Sequence, residues 1–524
     1  RFEMPPLIKV EPVRFEERAG ASIGVIESRS RRVVFYDVVM EQIETVDNAG
    51  FAPERDTPFE VYAFPGATSG TRAVTVADID QDGLDDVLVA DPDGNALSLH
   101  LQQQDTGIRE GTTFSTFKKS NVLAAGEWVE GGPLEVFVMS EDENVVGVST
   151  FDPQTGRLRF PRPLRLANPG ATPVAMAVLG RGSDSLGLAV VVRERRDHWL
   201  EVLTPDAEPR AIELDPIDRP PTAILSGDFD GDGTTDVLLT SDDQPPVMVL
   251  SVEDPEPASV ANGRVLDDTL MPQVGLLQAA GPTNTAAIDI DNDGSDEVLI
   301  SAENFVRACT YDADSGWRVI EQMAVTDARA SFSGLTVTTA NGAPGITVAD
   351  TGNERLVVFA QDESGAWTVA DRLRVPAFDL GALTGGAFSG DGEPNILCHS
   401  ADGIAIARLR GERVALSPFA TYRSDEEDQY EYQMASGDIN ADGYTDVVIL
   451  DAGDQRCKVF TFSSSRRLLE AFEFETFQRR LFDGSEGRTF EPRDVILKDA
   501  TGDGVADMVF EVHDRYVIHP SQSR

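Results

Sequence analysis

The sequence predicts an all-β protein, a β-propeller of four-stranded blades, and three observations carry that reading. A short acidic loop recurs five times along the 524 residues. Each copy runs straight into a branched, apolar run of the kind that forms a strand. Modules of loop and strands return at roughly fifty-residue intervals, the period of a propeller blade.

The loop comes first, because the rest of the chain is ordered around it. Its first copy is Asp78-Ile79-Asp80-Gln81-Asp82-Gly83-Leu84-Asp85-Asp86, leading into Val87-Leu88-Val89. Carboxylates at positions 1, 3 and 5, a glycine at 6 and an acid at 9 describe a hard-cation loop. Calcium takes six to eight oxygens, and alternate side chains of a tight turn supply them where a glycine permits the bend. The side-chain ligands expected are therefore Asp78, Asp80, Asp82 and Asp86, with the carbonyl of Leu84 at position 7. The second loop offers Asp228, Asp230, Asp232 and Asp236 with the Thr234 carbonyl, and the third Asp289, Asp291, Asp293 and Glu297 with that of Ser295. The fourth offers Asp438, Asn440, Asp442 and Asp446 with Tyr444, and the fifth Asp499, Thr501, Asp503 and Asp507 with Val505. About five Ca²⁺ sites follow. Asn440 and Thr501 replace a carboxylate at position 3, so weaker sites are expected there. The acid at position 9 is also expected to anchor the strand that follows it. Magnesium suits such cages less well, because it keeps its waters.

An EF-hand opens in the same way but closes on a glutamate at position 12 between two helices. Here position 12 is Val89, Leu239, Ile300, Ile449 and Phe510, and strands flank the loop. The EF-hand is excluded.

Between the five complete loops lie four decayed ones, near residues 127, 178, 337 and 387, which keep the strands and lose the ligands. Nine modules are visible, at steps of about 50 residues with two steps of 61. Asp289 lies 211 residues after Asp78, and Asp499 lies 210 after Asp289. Complete and decayed loops follow one order in both halves, as a four-module duplication would leave them. The division expected is residues 1–72, strands without a ligand loop, and residues 73–524, the propeller. The last module shows three strands, around Val495, Met508 and Arg515. Its missing outer strand is expected from residues 32–43, closing the ring. Two smaller rings, or a tenth blade made of the N-terminal strands, are the other arrangements open at this point.

The quoted Asp-x-Asp-x-Asp-Gly-x-x-Asp/Glu stretches resemble the FG-GAP/VCBS repeats, the calcium-loop blades also found in integrin α-subunit propellers. The resemblance spans roughly residues 73–520, with four of the nine modules matching in their strands alone. It implies a propeller whose calcium loops join the first two strands of a blade, and, in many relatives, adhesion or ligand binding outside the cytoplasm. No inserted integrin-type domain is evident, so an integrin's particular partners do not carry over.

Composition sets the remaining bounds. Ninety acids stand against 44 lysines and arginines, a net charge of −46. Eighteen of those acids are loop ligands, and five divalent ions would still leave about −36. A nucleic-acid binder needs a basic footprint, so that class is excluded. No apolar run approaches the ~20 residues of a membrane helix. Cys309, Cys398 and Cys457 are widely spaced beside apolar runs and read as buried thiols. His100, His198, His399, His513 and His519 are scattered, and His513-Asp514-Arg515 reads as a turn with a local ion pair rather than a catalytic trio. Trp128, Trp199, Trp317 and Trp367 read as packing between blades ahead of lining a sugar site. No nucleophile elbow, zincin or phosphate-loop motif appears. The expectation is an exported protein, extracellular, on the cell surface or periplasmic, binding a protein or glycan on one propeller face with calcium in a structural role. A propeller-scaffold enzyme such as a polysaccharide lyase or hydrolase is the alternative, since such sites draw residues from several blades.

Overall fold

Central strands of this chain are apolar at nearly every position, as strands sandwiched on both faces must be. Asp86–Asp91, Asp236–Ser241, Glu297–Ala302 and Asp446–Asp451 are buried along almost their whole length. The computed structural model describes residues 6–14, 22–42, 54–56, 59–64, 72–129, 131–179, 187–205, 207–215, 217–241, 244–252, 259–340, 343–375, 380–401, 403–410, 412–423, 431–451, 455–463, 465–476, 491–512 and 515–521. Nearly all of the regular structure is antiparallel strand, with one 3-10 turn at Val274–Leu277. Among the described residues no helix is long and apolar enough to cross a membrane.

The chain divides into two compact units, residues 44–411 and residues 1–43 with 412–524. Among the described residues the larger unit carries seven main sheets in sequence order, and a two-stranded ribbon of Gln102–Gln103 with Gly107–Ile108. Sheet 1 is Val74–Ala77, Asp86–Asp91, Ala96–His100 and Thr112–Ser115. Sheet 2 begins at Val122–Glu127, sheet 3 at Thr172–Leu179, sheet 4 at Ala223–Gly227, sheet 5 at Thr285–Ile288, sheet 6 at Phe332–Ala340 and sheet 7 at Leu383–Gly386. In each, the first three strands follow one another in chain order as antiparallel neighbours, and sheets 6 and 7 each end on a strand from earlier in the chain. That up-and-down order follows from short turns, which can join only antiparallel neighbours.

Seven apolar clusters hold the seven sheets, one at each interface. Leu88, Leu97 and Phe114 of sheet 1 meet Val136 and Val138 of sheet 2. Phe137 and Met139 meet Val190 of sheet 3, whose Val191 and Leu200 meet Val237 and Val249 of sheet 4. Phe229, Leu238 and Met248 pack on Trp317 and Cys309 of sheet 5. Leu299 and Val306 pack on Ile346 and Phe359 of sheet 6, and Leu356 and Leu373 on Ile396 and Ala405 of sheet 7. Phe388, Leu397, Ile404 and Ile406 of sheet 7 then pack on Val87 and Val89 of sheet 1 and on Ile108 of the two-stranded ribbon that follows its third strand, so the series returns to its start. Each fully buried Val, Leu, Ile or Phe contributes about 1.5–3 kcal/mol, which is why no sheet of this kind is stable alone.

The strand that completes sheet 7 comes from the other end of the unit. Phe59–Ala63 pairs antiparallel with Gly403–Arg408, Ile404 opposite Tyr62. Its Tyr62 hydroxyl donates to the Ile108 carbonyl at 2.9 Å, reaching the two-stranded ribbon. Glu54–Asp56 adds a parallel strand to sheet 6.

The smaller unit holds three sheets. Leu7–Val13, Ser22–Glu27, Val33–Gln42 and Glu412–Tyr422 form the first, which has no ligand loop. Glu431–Gly437, Asp446–Asp451, Arg456–Phe462 and Leu468–Glu475 form the second, and Asp494–Lys498, Asp507–Val512 and Arg515–His519 the third. Phe35 and Val33 pack on Phe460 and Val447, and Val459 and Cys457 on Phe510 and Val495.

One sequence expectation is corrected here. The strand expected to complete the last module, within residues 32–43, pairs along Val33–Gln42 with Glu412–Tyr422 instead, ten residues deep. Its partner there matches it in length, whereas Arg515–His519 offers five residues. Of the arrangements the sequence left open, the modules divide between two units: the sheet of the Asp438 loop belongs to a different unit from the sheet of the decayed loop near residue 387, and the loop-free strands before residue 44 form a sheet with Glu412–Tyr422.

Candidate metal centre

Each acidic loop joins the first strand of its sheet to the second, and its side chains fold back onto its own main chain. In the first loop Asp78 accepts hydrogen bonds from the N–H groups of Asp82 and Gly83, both at 3.0 Å. Asp82 accepts from Leu84 at 2.9 Å, and Asp80 from Asp82 at 3.2 Å. The other loops repeat the pattern: Asp228 accepts from Gly233 at 2.9 Å, Asp289 from Gly294 at 3.1 Å, Asp438 from Gly443 at 3.0 Å and Asp499 from Gly504 at 2.9 Å. These bonds tie the side chain of position 1 to the peptide of position 6, where glycine sits at a φ between 82° and 100°. Position 4 is left-handed in all five as well, though Gln81, Asn292 and Ala441 occupy it in three of them. For a residue with a Cβ that conformation costs about 1–2 kcal/mol, so the carboxylate bonds hold the turn against its own preference.

Position 9 is the buried end of the loop. Asp86, Asp236, Glu297 and Asp507 have no exposed surface and Asp446 almost none. Each accepts from the main chain of position 2 through one oxygen: Ile79, Phe229, Ile290, Ile439 and Ala500 donate at 2.9–3.1 Å. In three loops the second oxygen accepts from the end of the third strand or just past it, at Ser251, Gln102 and Ser521. The acid therefore stitches loop, second strand and third strand together, as the sequence suggested. Position 2 carries no ligand, and the sequence reading passed over it. Its side chain is the loop's apolar foot: Ile79, Phe229 and Ile290 sit in the cores between sheets.

Three loops gather a trio of acids, one carboxylate oxygen from each lying within 4.8 Å of the other two. They are Asp78, Asp80 and Asp86; Asp228, Asp230 and Asp232; and Asp289, Asp291 and Glu297. In the Asp438 and Asp499 loops, where Asn440 and Thr501 stand at position 3, no such trio forms among the described residues. The side chains at position 7 (Leu84, Thr234, Ser295, Tyr444 and Val505) belong to residues whose N–H caps the acid at position 5.

Burial pushes the carboxyls of Asp86, Asp236 and Glu297 up to about 7, partly offset by the main-chain donors around them. Asp80, Asp230 and Asp446 are raised for the same first reason. Asp507 goes the other way, held down by the Ser521 N–H. A carboxyl raised in the folded state favours its protonated form there. It supports folding below the ordinary carboxylate range, near pH 4, and withdraws that support as pH rises through about 7. At neutral pH the bare loops therefore work against the fold unless a cation takes the proton's place.

The donor set fits a hard cation: oxygens only, no nitrogen or sulfur, and up to four carboxylates to a loop. Glu297 is fully buried, held by the Ile290 N–H and facing the Thr310 hydroxyl, with one oxygen each of Asp289 and Asp291 within 4.8 Å of one of its own. The decayed loop of sheet 7 offers a comparison inside the same molecule. Its position 9 is Asn395, buried but neutral, donating to Glu393 and Ser389. Its surviving acid, Asp391, is met by the Arg408 guanidinium at 3.3 Å. In this loop the buried position is neutral and an arginine meets the remaining acid, while the decayed loop of sheet 2 keeps Glu135, half-buried, at position 9.

The other residues singled out in the sequence serve the packing. His100, His198 and His399 are buried, which lowers all three. Their ring nitrogens meet the Arg109 carbonyl, the Ile217 carbonyl and the Thr384 hydroxyl at 3.0–3.1 Å. His513 and Asp514 lie outside the described residues. Trp128 and Trp317 are core residues between sheets, with Trp199 and Trp367 packed against such cores. The three cysteines are buried free thiols, and burial raises each of them.

No protein-family model matches the chain, and no curated protein matches it in sequence. Among solved structures, BBS1N in complex with ARL6DN, soaked with lead, aligns at a TM-score of 0.45 and 13% identity, over 68% of this chain and 96% of that one. The same complex soaked with mercury aligns at 0.44 and 12%, over 68% and 96%. A TM-score below 0.5 carries no argument about shared function.

Proposed function

We propose that this chain is a calcium-binding propeller protein of the FG-GAP/VCBS type that serves as a binding module for a protein partner outside the cytoplasm. The observation that carries the calcium half is the buried acid at position 9. Five copies are held at one place in five sheets, whereas sheet 7, one of the four that lost their ligands, carries the neutral Asn395 there. Asp78, Asp80, Asp82 and Asp86 would hold the ion of the first loop, with the equivalent residues in the other four. The ion supplies the positive charge that lets crowded carboxylates stay ionised beside an apolar core. The chain's own part is to orient them: main-chain N–H groups fix positions 1, 3 and 5, and position 2 pins the loop between sheets. The binding half rests on architecture. Rigid loops on a scaffold of small sheets make a broad recognition surface. Export follows from the cation, because loops this rich in carboxylates suit a calcium-replete exterior.

A calorimetric titration with calcium tests the reading. About five ions bind per chain at pH 7.5, the Asp438 and Asp499 loops filling last. At pH 6.5 about two protons leave per chain as the raised acids ionise, and by pH 8.5 almost none, read from the dependence of heat on buffer. Fewer than two ions bound, or no proton release at pH 6.5, would overturn it. Calcium-dependent signal on a glycan array would move the partner from protein to carbohydrate.

A further inference from the structure

We propose that the Asp228 and Asp289 loops form a coupled pair, linked by Asp296 as a positioning residue, so that a divalent cation in either raises the other's affinity. This rests on the calcium reading above and adds a relation between two of its sites.

Asp296 is at position 8 of its loop, beside Glu297, and is 4% exposed. Its N–H donates to the Asp228 carbonyl at 2.6 Å, and its Oδ2 accepts from the Asp228 N–H at 2.9 Å. Both main-chain groups of the first ligand of one loop are thus held by the last turn of the next. The approach is close. A Cβ on Gly227 would stand 3.0 Å from Asp296 Oδ2 and 3.2 Å from the Ala287 side chain. A second touch joins Gly231 to Ser295, 3.5 Å from where a Cβ would be. A third joins the foot of the Asp228 loop to sheet 5, Phe229 edge-on to Trp317 at 6.3 Å.

The chain of cause is short. A cation in the Asp228 loop fixes Asp228, which fixes Asp296, and the next residue is Glu297, the buried acid of the Asp289 loop. Ordering one loop removes part of the ordering cost of the other, and linkage makes the effect reciprocal. The molecule contains its own control. The Asp438 and Asp499 loops are also consecutive, and Ala506 N–H donates to the Asp438 carbonyl at 3.3 Å. Alanine has no side chain to make the second bond, so that pair is expected to couple less.

Terbium luminescence tests this in the full chain. Trp317 packs on Phe229, the foot of the Asp228 loop, at 6.3 Å and on Tyr311 at 5.3 Å, so these aromatic side chains serve as sensitisers for that loop. The emission lost in the D230N/D232N chain is assigned to that loop. Silencing the Asp289 loop with D291N/D293N is expected to move the midpoint of this emission at least about fivefold upward. In an Asp296→Ala background the same silencing moves it less than about twofold. Gly227→Ala, which wedges the loops apart, acts like Asp296→Ala, while Asp296→Asn keeps its acceptor oxygen and the full shift. These two read the link if Asp296→Ala does not fold. A midpoint unmoved by silencing the Asp289 loop, or a full shift surviving in both Asp296→Ala and Gly227→Ala, overturns the link. No emission from any loop overturns the calcium reading itself.

Discussion

In excess EDTA the protein is expected to melt about 10 °C below its midpoint in millimolar calcium. The size follows from linkage. A site filled at a hundredfold excess over its dissociation constant contributes about 2.7 kcal/mol, and three such sites in the larger unit give about 8 kcal/mol. That is of the order of a domain's whole stability. The loss is larger at pH 8 than at pH 5, because protons partly replace the ion on Asp86, Asp236 and Glu297 below pH 7. Differential scanning calorimetry at the two pH values reads both effects. Equal melts with and without chelator at pH 8 would contradict them.

The second large effect is expected far from the loops, at Arg355. This guanidinium is nearly buried and meets Asp350 at 2.9 Å, Asp327 at 3.2 Å and Glu54 at 3.6 Å. Asp350 is fully buried and also accepts from the Ser331 N–H at 3.0 Å and Asn353 Nδ2 at 2.8 Å. The cluster clamps the turn between two strands of sheet 6 and reaches the parallel Glu54–Asp56 strand. Arg355→Met keeps most of the volume and strands the Asp350 charge, at a cost of about 3–5 kcal/mol. Adding Asp350→Asn to that variant removes the stranded charge and restores most of the loss. Lys118→Ala, which breaks a solvent-screened surface pair with Asp142, leaves stability nearly unchanged. Urea unfolding of the four chains measures all of this. An Arg355→Met chain as stable as Lys118→Ala would show that the cluster carries no net charge balance.

The sequence made the loops legible because their chemistry is local. Five acids and glycines at fixed spacing, each followed by an apolar run, announce strand, loop and strand without any knowledge of the rest. The burial of Asp86 and its equivalents was readable for the same reason, since position 9 opens the apolar strand. The assignment of sheets to units was not. Phe59–Ala63 finds its partner some 345 residues later, in Gly403–Arg408, and nothing in either stretch marks the other. Val33–Gln42 and Glu412–Tyr422 are as distant and as silent. Strand propensity says that a segment pairs; only the packing of whole sheets says with what. Asp296 was illegible for a related reason. Within its own loop it looks like a spare acid beside Glu297, and its role exists only across the interface to Asp228. Ile79, Phe229 and Ile290 could have been found, because an apolar residue between two calcium ligands has few other reasons to be there.

Crystals grown in calcium, with anomalous differences collected at a long wavelength, test the central claim most directly. Peaks are expected inside the Asp78, Asp228 and Asp289 loops, enclosed by positions 1, 3, 5 and 9, with fainter ones at Asp438 and Asp499. Clear density for those loops without a peak among their carboxylates would contradict the account.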